Sequence, residues 1–127
     1  MKRLLIVDDE QAVARVIDKV ATKCGYAVTT TTDGERFVDE LIASEPDVIV
    51  LDLSMPGVDG VELLRFLATS KCRAKIFIVS GFDPRVLETS GKLGFALGLS
   101  IVGTLHKPIR VAELRAALTD LPQGALL

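Results

Sequence analysis

The stretch Val48–Gly60, with the sequence VIVLDLSMPGVDG, carries the clearest structural signal in the chain. Its four leading apolar residues predict a strand buried on both faces, because a half-exposed strand would alternate apolar and polar residues. Asp52 ends the apolar run, and the Met55-Pro56-Gly57 segment behind it is typical of a turn. A carboxylate at the end of a buried strand is more often a reagent or a ligand than a structural group.

Other apolar runs in the chain also end in polar or charged residues. They are Leu4–Val7 before Asp8-Asp9-Glu10, Ile76–Val79 before Ser80-Gly81, and Ile101–Leu105 before His106-Lys107-Pro108. The threonine-rich segment Ala27–Thr31 is a fifth candidate strand. Strands that end in this way suggest one shared site.

Each candidate strand is followed by a segment with helical features. The segments are Val13–Val20, Phe37–Ile42 after Asp33-Gly34, Val61–Ala68 after Asp59, the segment that begins at Asp83-Pro84, and Leu114–Leu121. Strands alternating with helices predict an α/β fold of the (βα)5 type, with a parallel sheet covered by helices on both faces. The fourth helix contains Gly91 and Gly94, which each cost about 1 kcal/mol relative to alanine, so we expect it to be a candidate for motion.

Composition limits the classes of function. The 127 residues fit one domain, and a net charge of −2 gives no overall electrostatic reason to bind nucleic acid or an anionic membrane. No apolar stretch approaches the roughly 18 residues of a membrane helix, and the N-terminus reaches acidic residues too early for a signal peptide. We therefore expect a cytoplasmic protein. Cys24 and Cys72 lack metal-ligand spacing, so they are most simply lone thiols.

The polar residues at the strand ends predict a metal site. Ligands of open parallel sheets bind beyond the carboxyl ends of the strands, where Asp8, Asp9, Asp52, Ser80 and Lys107 would all lie. If the first and third strands are neighbours, three carboxylates crowd together and repel one another unless a cation or proton intervenes. Mg²⁺ fits this requirement, because it takes oxygen ligands and commonly joins protein carboxylates to a phosphoryl group.

The same residues are suited to a phosphoryl group. Lys107 supplies a point charge for one phosphoryl oxygen, and the Ser80 hydroxyl can donate to another. Aspartyl phosphates are a known class of covalent intermediate, and Asp52 is the best candidate for the nucleophile. The backbone carbonyl of Ser54, in the loop after it, can then reach the metal.

Each of these residues also has an ordinary structural interpretation. Asp8-Asp9 after a strand is commonly a solvated turn or a helix cap, and Asp52 alone could form a turn. Ser80-Gly81 is an ordinary loop pair, and a lone lysine is usually solvated. Because the five coincide at the ends of apolar runs, the pattern favours a shared site.

With these motifs in the same order and spacing, essentially the whole chain resembles the receiver domains of two-component response regulators. The matching segments are Val7-Asp8-Asp9-Glu10, Asp52–Gly60, Val79-Ser80-Gly81 and His106-Lys107-Pro108-Ile109. The resemblance implies a single receiver domain over residues 1–127, with a flavodoxin-like, doubly wound five-stranded sheet in the order 2-1-3-4-5. It also implies that the Lys107–Pro108 bond is cis.

The resemblance also assigns roles to the site residues. Asp52 would accept a phosphoryl group from a histidine kinase or a histidine phosphotransfer protein. Asp9 would bind Mg²⁺ directly, and Asp8 would act mainly through a bound water. Ser80 would be the switch hydroxyl and Lys107 the phosphoryl-binding lysine. The domain would be a signalling module that catalyses only its own phosphorylation and slow dephosphorylation, and that controls an output domain or protein.

The sequence departs from the family pattern at Thr104. Family members usually carry tyrosine or phenylalanine three residues before the lysine, and a short β-branched side chain cannot fill and vacate a pocket as an aromatic ring does. Thr104 is then either a modified switch position or an ordinary strand residue. The segment Leu97–Leu105 also resembles, more weakly, receivers joined to cyclic-di-GMP phosphodiesterase domains, of which nothing else is present in the sequence. The chain is then either a stand-alone regulator or a fragment.

Two other functions are compatible with parts of the sequence. The first is an interaction module of the same fold that does not use phosphorylation, motivated by Thr104, although degenerate receivers normally lose an acidic residue or the lysine. The second is a Mg²⁺-dependent phosphatase with an aspartyl intermediate. Such phosphatases typically place a second aspartate two residues after the nucleophile, where this chain has Ser54.

Overall fold

The computed structural model describes residues 2–55, 57, 59–81 and 83–121, apart from the side chain of Glu35. Strands and helices alternate along the chain as the sequence predicts. The elements are β1 (Arg3–Val7), α1 (Gln11–Lys23), β2 (Ala27–Thr31), α2 (Phe37–Ser44), β3 (Val48–Asp52), α3 (Gly60–Thr69), β4 (Lys75–Ser80), α4 (Pro84–Ala96), β5 (Ser100–His106) and α5 (Val111–Thr119). The predicted helix start at Asp33-Gly34 needs one change, because a short 3-10 turn, Gly34–Arg36, precedes α2.

The five strands form one parallel sheet in the order β2-β1-β3-β4-β5. Both the (βα)5 prediction and the strand order 2-1-3-4-5 are therefore confirmed. The three central strands are buried on both faces, which explains their continuous apolar sequences. The edge strands β2 and β5 are only partly buried, so β2 can be rich in threonine.

Two hydrophobic layers cover the sheet. Alternate residues of each central strand face opposite layers, as the period of two in a strand requires. One layer packs Ile6, Val50 and Val79 against α1 and α5, and the other packs Val7, Leu51 and Ile78 against α2, α3 and α4. These layers hold β1 and β3 side by side with Val7 opposite Leu51, so Asp8 and Asp52 emerge together at the end of the sheet.

Local sequence signals set the starts of two helices. The Asp59 carboxylate accepts hydrogen bonds from the backbone N–H groups of Val61 and Glu62 at the start of α3. Asp83 does the same for Arg85, with Pro84 as the first residue of α4. Both aspartates mark helix starts that the sequence predicts, because aspartate at this position satisfies amides that lack partners in the first turn of a helix.

The two glycines of α4 lie on the face of the helix that packs against β5. Gly94 is buried, and a Cβ atom built on it would lie 2.8 Å from Cδ1 and Cγ1 of Ile101. A Cβ atom on Gly91 would lie 3.3 Å from Cγ2 of Thr104. The glycines therefore permit a close approach of helix and strand, a packing role that helix propensity alone does not indicate. The motion expected of α4 remains a prediction.

Substitution of the two glycines should separate packing from helix propensity. Gly94→Ala is expected to lower the free energy of unfolding by about 1–2 kcal/mol, because the strain of overpacking exceeds the gain in helix propensity. Gly91→Ala is the matched control: its neighbour Thr104 is exposed and can shift, so we expect no loss and up to about 1 kcal/mol of gain. Urea unfolding followed by circular dichroism measures both, and equal effects of the two changes would contradict the close-approach argument.

Candidate functional site

Three predicted site residues are buried at the carboxyl ends of adjacent strands. Asp8 follows β1, Asp52 ends β3 and Ser80 ends β4, and each is only 1% exposed. The register aligns these ends, because Asp52 lies opposite Val79, the residue before Ser80. The backbone N–H of Lys107, just beyond β5, donates to the Ser80 carbonyl at 2.9 Å.

The Lys107 side chain connects the strand ends. Its Nζ atom lies 3.0 Å from Asp52 Oδ2, 3.2 Å from both carboxylate oxygens of Asp8, and 2.7 Å from Glu10 Oε1. Burial by itself lowers the pKa of Lys107. Hydrogen bonds to Glu10 and Asp52 and the charges of Asp52 and Asp8 outweigh burial and raise that pKa above its ordinary value, so the ammonium stays charged. The predicted cis bond between Lys107 and Pro108 is confirmed.

The other oxygen of Asp52 is held by the loop that follows β3. Asp52 Oδ1 accepts from the backbone N–H of Ser54 at 2.8 Å and from the Ser54 hydroxyl at 2.5 Å. The sequence predicted a role for the Ser54 carbonyl but not these two contacts. Together with Lys107 on Oδ2, they fix the orientation of the Asp52 carboxylate.

Asp8 is a buried carboxylate whose negative charge is incompletely compensated. Its Oδ1 atom accepts from the backbone N–H of Glu10 at 2.9 Å, whereas Oδ2 is buried and makes no hydrogen bond of good geometry within the described residues, although Lys107 is near. Burial raises the pKa of Asp8 to about 6, and the charge of Asp52 acts in the same direction, against the lowering effects of the Glu10 amide and Lys107. A buried carboxylate in this state gains from a further cation.

The site fits a divalent cation such as Mg²⁺. Carboxylate oxygens of Asp8, Glu10 and Asp52 lie within 4.8 Å of one another. When all three are ionised, one ammonium group leaves two negative charges uncompensated. Asp8 Oδ2, which lacks a hydrogen bond of good geometry among the described residues, offers a hard oxygen ligand of the kind that Mg²⁺ prefers. The acidic cluster is therefore compatible with the predicted magnesium site.

Two predicted residues lie differently from the others. Asp9 is exposed, and within the described part of the chain it is not one of the clustered carboxylates, where Glu10 is found instead. Glu10 was not among the predicted site residues, although it belongs to the acidic run Asp8-Asp9-Glu10 that follows the first strand. Thr104 is exposed on β5, beside Gly91 of α4, and lies outside the carboxylate cluster.

Removing the Asp8 charge should stabilise the metal-free protein. The folded state keeps a proton on Asp8 up to about pH 6, whereas the unfolded chain, with an ordinary pKa of 3.8, releases it near pH 4. The folded state thus binds more protons between these values, so the wild-type free energy of unfolding should fall as pH rises from about 4 to about 6. Asp8→Asn should lack this fall and be more stable than the wild type at pH 7. The gain in the free energy of unfolding should be only about 1 kcal/mol, because Lys107 loses one of its partners.

Urea unfolding in EDTA at several pH values measures this difference. Asp9→Asn is the matched control, because it removes a neighbouring but exposed carboxylate and should change stability by less than about 0.5 kcal/mol. A less stable Asp8→Asn protein at pH 7 would mean that the attraction of Lys107 outweighs the burial of the charge.

Known proteins are similar in sequence to this chain over nearly its whole length. The sequence model of the response regulator receiver domain matches residues 4–119. The alkaline phosphatase synthesis transcriptional regulatory protein PhoP of Bacillus subtilis is 32% identical over 115 residues, which cover 91% of this chain and 46% of PhoP. The cell cycle response regulator CtrA of Brucella ovis is 32% identical over 114 residues, which cover 90% of this chain and 49% of CtrA. The chain thus spans about half the length of these curated relatives.

The fold is shared with solved structures as well. A response regulator from Colwellia psychrerythraea matches with a TM-score of 0.81 at 32% sequence identity, covering 93% of this chain and 94% of that one. In the described part of the chain, none of the helices combines the length and apolar character needed to cross a lipid bilayer. From its sequence and its fold, the chain belongs to the response regulator receiver domains of two-component signalling.

Proposed function

We propose that this chain is a phosphorylation-dependent signalling switch in which Asp52 accepts a phosphoryl group from a histidine kinase or a histidine phosphotransfer protein. The observation that carries the proposal is the position of the Lys107 ammonium group, which lies 3.0 Å from Asp52 Oδ2 at the carboxyl end of the buried strand β3. A cation in this position can stabilise charge on a group that is being transferred to Asp52. The proposal includes residues 1–127 as one receiver domain, acting in the cytoplasm.

The transfer proposed here is a nucleophilic substitution at phosphorus. A carboxylate oxygen of Asp52 attacks, an O–P bond forms, and the P–N bond to the donor histidine breaks. The ring leaves with the electron pair of the P–N bond, and the proton carried on its other nitrogen makes it neutral imidazole, while Asp52 becomes an acyl phosphate. Lys107 and the Ser80 hydroxyl donate to phosphoryl oxygens, while Ser54 keeps the Asp52 carboxylate oriented.

Mg²⁺ would be held by Asp52 and the Ser54 carbonyl, by Asp9 as the direct ligand that the family resemblance assigns, and by Asp8 mainly through a bound water. When bound, the ion supplies positive charge that offsets the negative charge of the carboxylates and the phosphoryl oxygens. The Oδ2 atom of Asp8, buried without a hydrogen bond of good geometry in the described part of the chain, supports this part of the proposal.

The switch itself would be a movement of the loops that carry Ser80 and Lys107 toward the phosphoryl group, which changes the adjoining surface. That surface includes α4 and β5, where Thr104 stands in place of the usual aromatic residue. An attached output domain or a separate protein would read the change. We propose no direct contact of this domain with nucleic acid or with a membrane.

Phosphoryl uptake can be tested with a small donor. Incubation with Mg²⁺ and acetyl phosphate is expected to add one phosphoryl group, detected by intact-protein mass spectrometry, because the Asp52 carboxylate is held in place and faces a cation. Asp52→Ala should abolish the addition. Asp120→Asn, which removes an exposed carboxylate at the end of α5, should leave it unchanged.

Other outcomes would identify the alternative functions. No added mass with several donors would leave an interaction module that does not depend on phosphorylation. Repeated turnover of small phosphomonoesters would indicate a phosphatase. Slow loss of a single phosphoryl group, without repeated turnover, is the expected behaviour of the switch.

Calorimetric titration with Mg²⁺ can decide whether Asp9 or Glu10 binds the metal directly. Asp9→Asn is expected to weaken Mg²⁺ binding at least about tenfold, because it removes a charged oxygen ligand from a hard cation. Glu10→Gln is the comparison, and we expect a smaller effect from it. If Glu10→Gln instead gave the larger loss, Glu10 and not Asp9 would be the direct ligand.

A further inference from the structure

Glu10 occupies a helix-capping position but does not act as a cap. It is the N-cap residue of α1, and its carbonyl accepts from the backbone N–H of Ala14 at 3.0 Å. Its side chain makes no capping hydrogen bond within the described residues. Serine, threonine, aspartate and asparagine are preferred at this position because their short side chains reach the first free amides. Here a longer side chain turns instead to Lys107.

The contact between Glu10 and Lys107 is the shortest that the ammonium group makes. Glu10 Oε1 lies 2.7 Å from Nζ, compared with 3.0 Å for Asp52 Oδ2 and 3.2 Å for Asp8. A lysine ammonium has three N–H groups. Among the described residues, three carboxylates thus use the full donor capacity of Lys107 in the resting state.

We infer that Glu10 is a positioning residue that holds Lys107 in the resting state and has to release it when a phosphoryl group binds. The inference rests on the function proposed for Asp52. Lys107 can donate to a phosphoryl oxygen only if one of its present contacts is given up. Glu10 would then set how readily the site takes up the group.

Differences in exposure indicate which contact is released. The side chains of Asp8 and Asp52 are 2% and 1% exposed, whereas that of Glu10 is 59% exposed. A buried carboxylate that loses its ammonium partner is left unpaired away from water, which is strongly unfavourable. The Glu10 carboxylate can instead turn into water and be hydrated. Release of Glu10 is therefore the change that disturbs the site least.

Two substitutions at Glu10 separate the contact from the charge. Glu10→Gln keeps the shape of the side chain and removes its charge. Glu10→Asp keeps the charge, but its carboxylate is too short for the contact and is suited to cap the first amides of α1. Glu88→Gln is the matched control, because it also removes an exposed carboxylate that pairs with a lysine, in this case Lys92 at 3.3 Å on α4.

The first measurement needs no metal. In EDTA, each protein is treated briefly with an amine-acetylating reagent, and the labelling of individual lysines is quantified by peptide mass spectrometry. Glu10→Gln and Glu10→Asp are expected to increase the labelling rate of Lys107 about two- to fivefold, the range expected for a partly exposed ion pair, without a change at Lys92. Glu88→Gln should affect Lys92 and leave Lys107 unchanged.

The second measurement is the rate of phosphoryl uptake from acetyl phosphate at saturating Mg²⁺. Both Glu10 variants should react about two- to fivefold faster than the wild type, and Glu88→Gln should match the wild type. Unchanged Lys107 labelling, or uptake that is equal to or slower than wild type in both variants, would overturn the inference. If only Glu10→Gln accelerated uptake, net charge would be the cause and the holding role would be rejected. A wild-type protein that takes up no phosphoryl group would instead refute the function proposed for Asp52.

Discussion

Lys107 lies between two carboxylates, Asp8 and Asp52, that the sheet buries at the ends of β1 and β3. Placing two like charges there without a cation would strongly disfavour the folded state. The ammonium group reaches them because β5 ends beside β4, where the backbone of Lys107 donates to the Ser80 carbonyl. The parallel sheet thus brings residues that are distant in sequence together at the carboxyl ends of its strands, and the site depends on that arrangement.

The same arrangement explains what the sequence could and could not predict. Continuous apolar runs indicate buried parallel strands, and these runs put Asp8, Asp52, Ser80 and Lys107 at one end of the sheet. Their burial and grouping followed from topology alone. The separation of Asp9 from the cluster and the contact of Glu10 with Lys107 did not, because side-chain directions beyond the last strand residue depend on the backbone path into α1.

Packing between distant elements was also beyond the reach of local sequence. Gly94 has low helix propensity, and only the position of Ile101 across the α4–β5 contact shows why a side chain would not fit there. Likewise, the contacts of Ser54 with Asp52 arise from the turn after β3. The sequence signalled the turn through Met55-Pro56-Gly57, but it did not specify which atoms of the loop would face the carboxylate.

The missing side chain at Gly94 also restricts how α4 can move. The helix already lies so near β5 that a single added carbon atom would overlap Ile101, so it has no room to move inward. A displacement of α4 must then be a slide along the strand or a lift away from it. Sliding would place a larger side chain of α4, instead of the hydrogen atom of Gly94, against Ile101. Lifting would expose Ile101 and the nearby Leu64 to water. Geometry thus leaves the helix few directions of travel, whatever drives the motion.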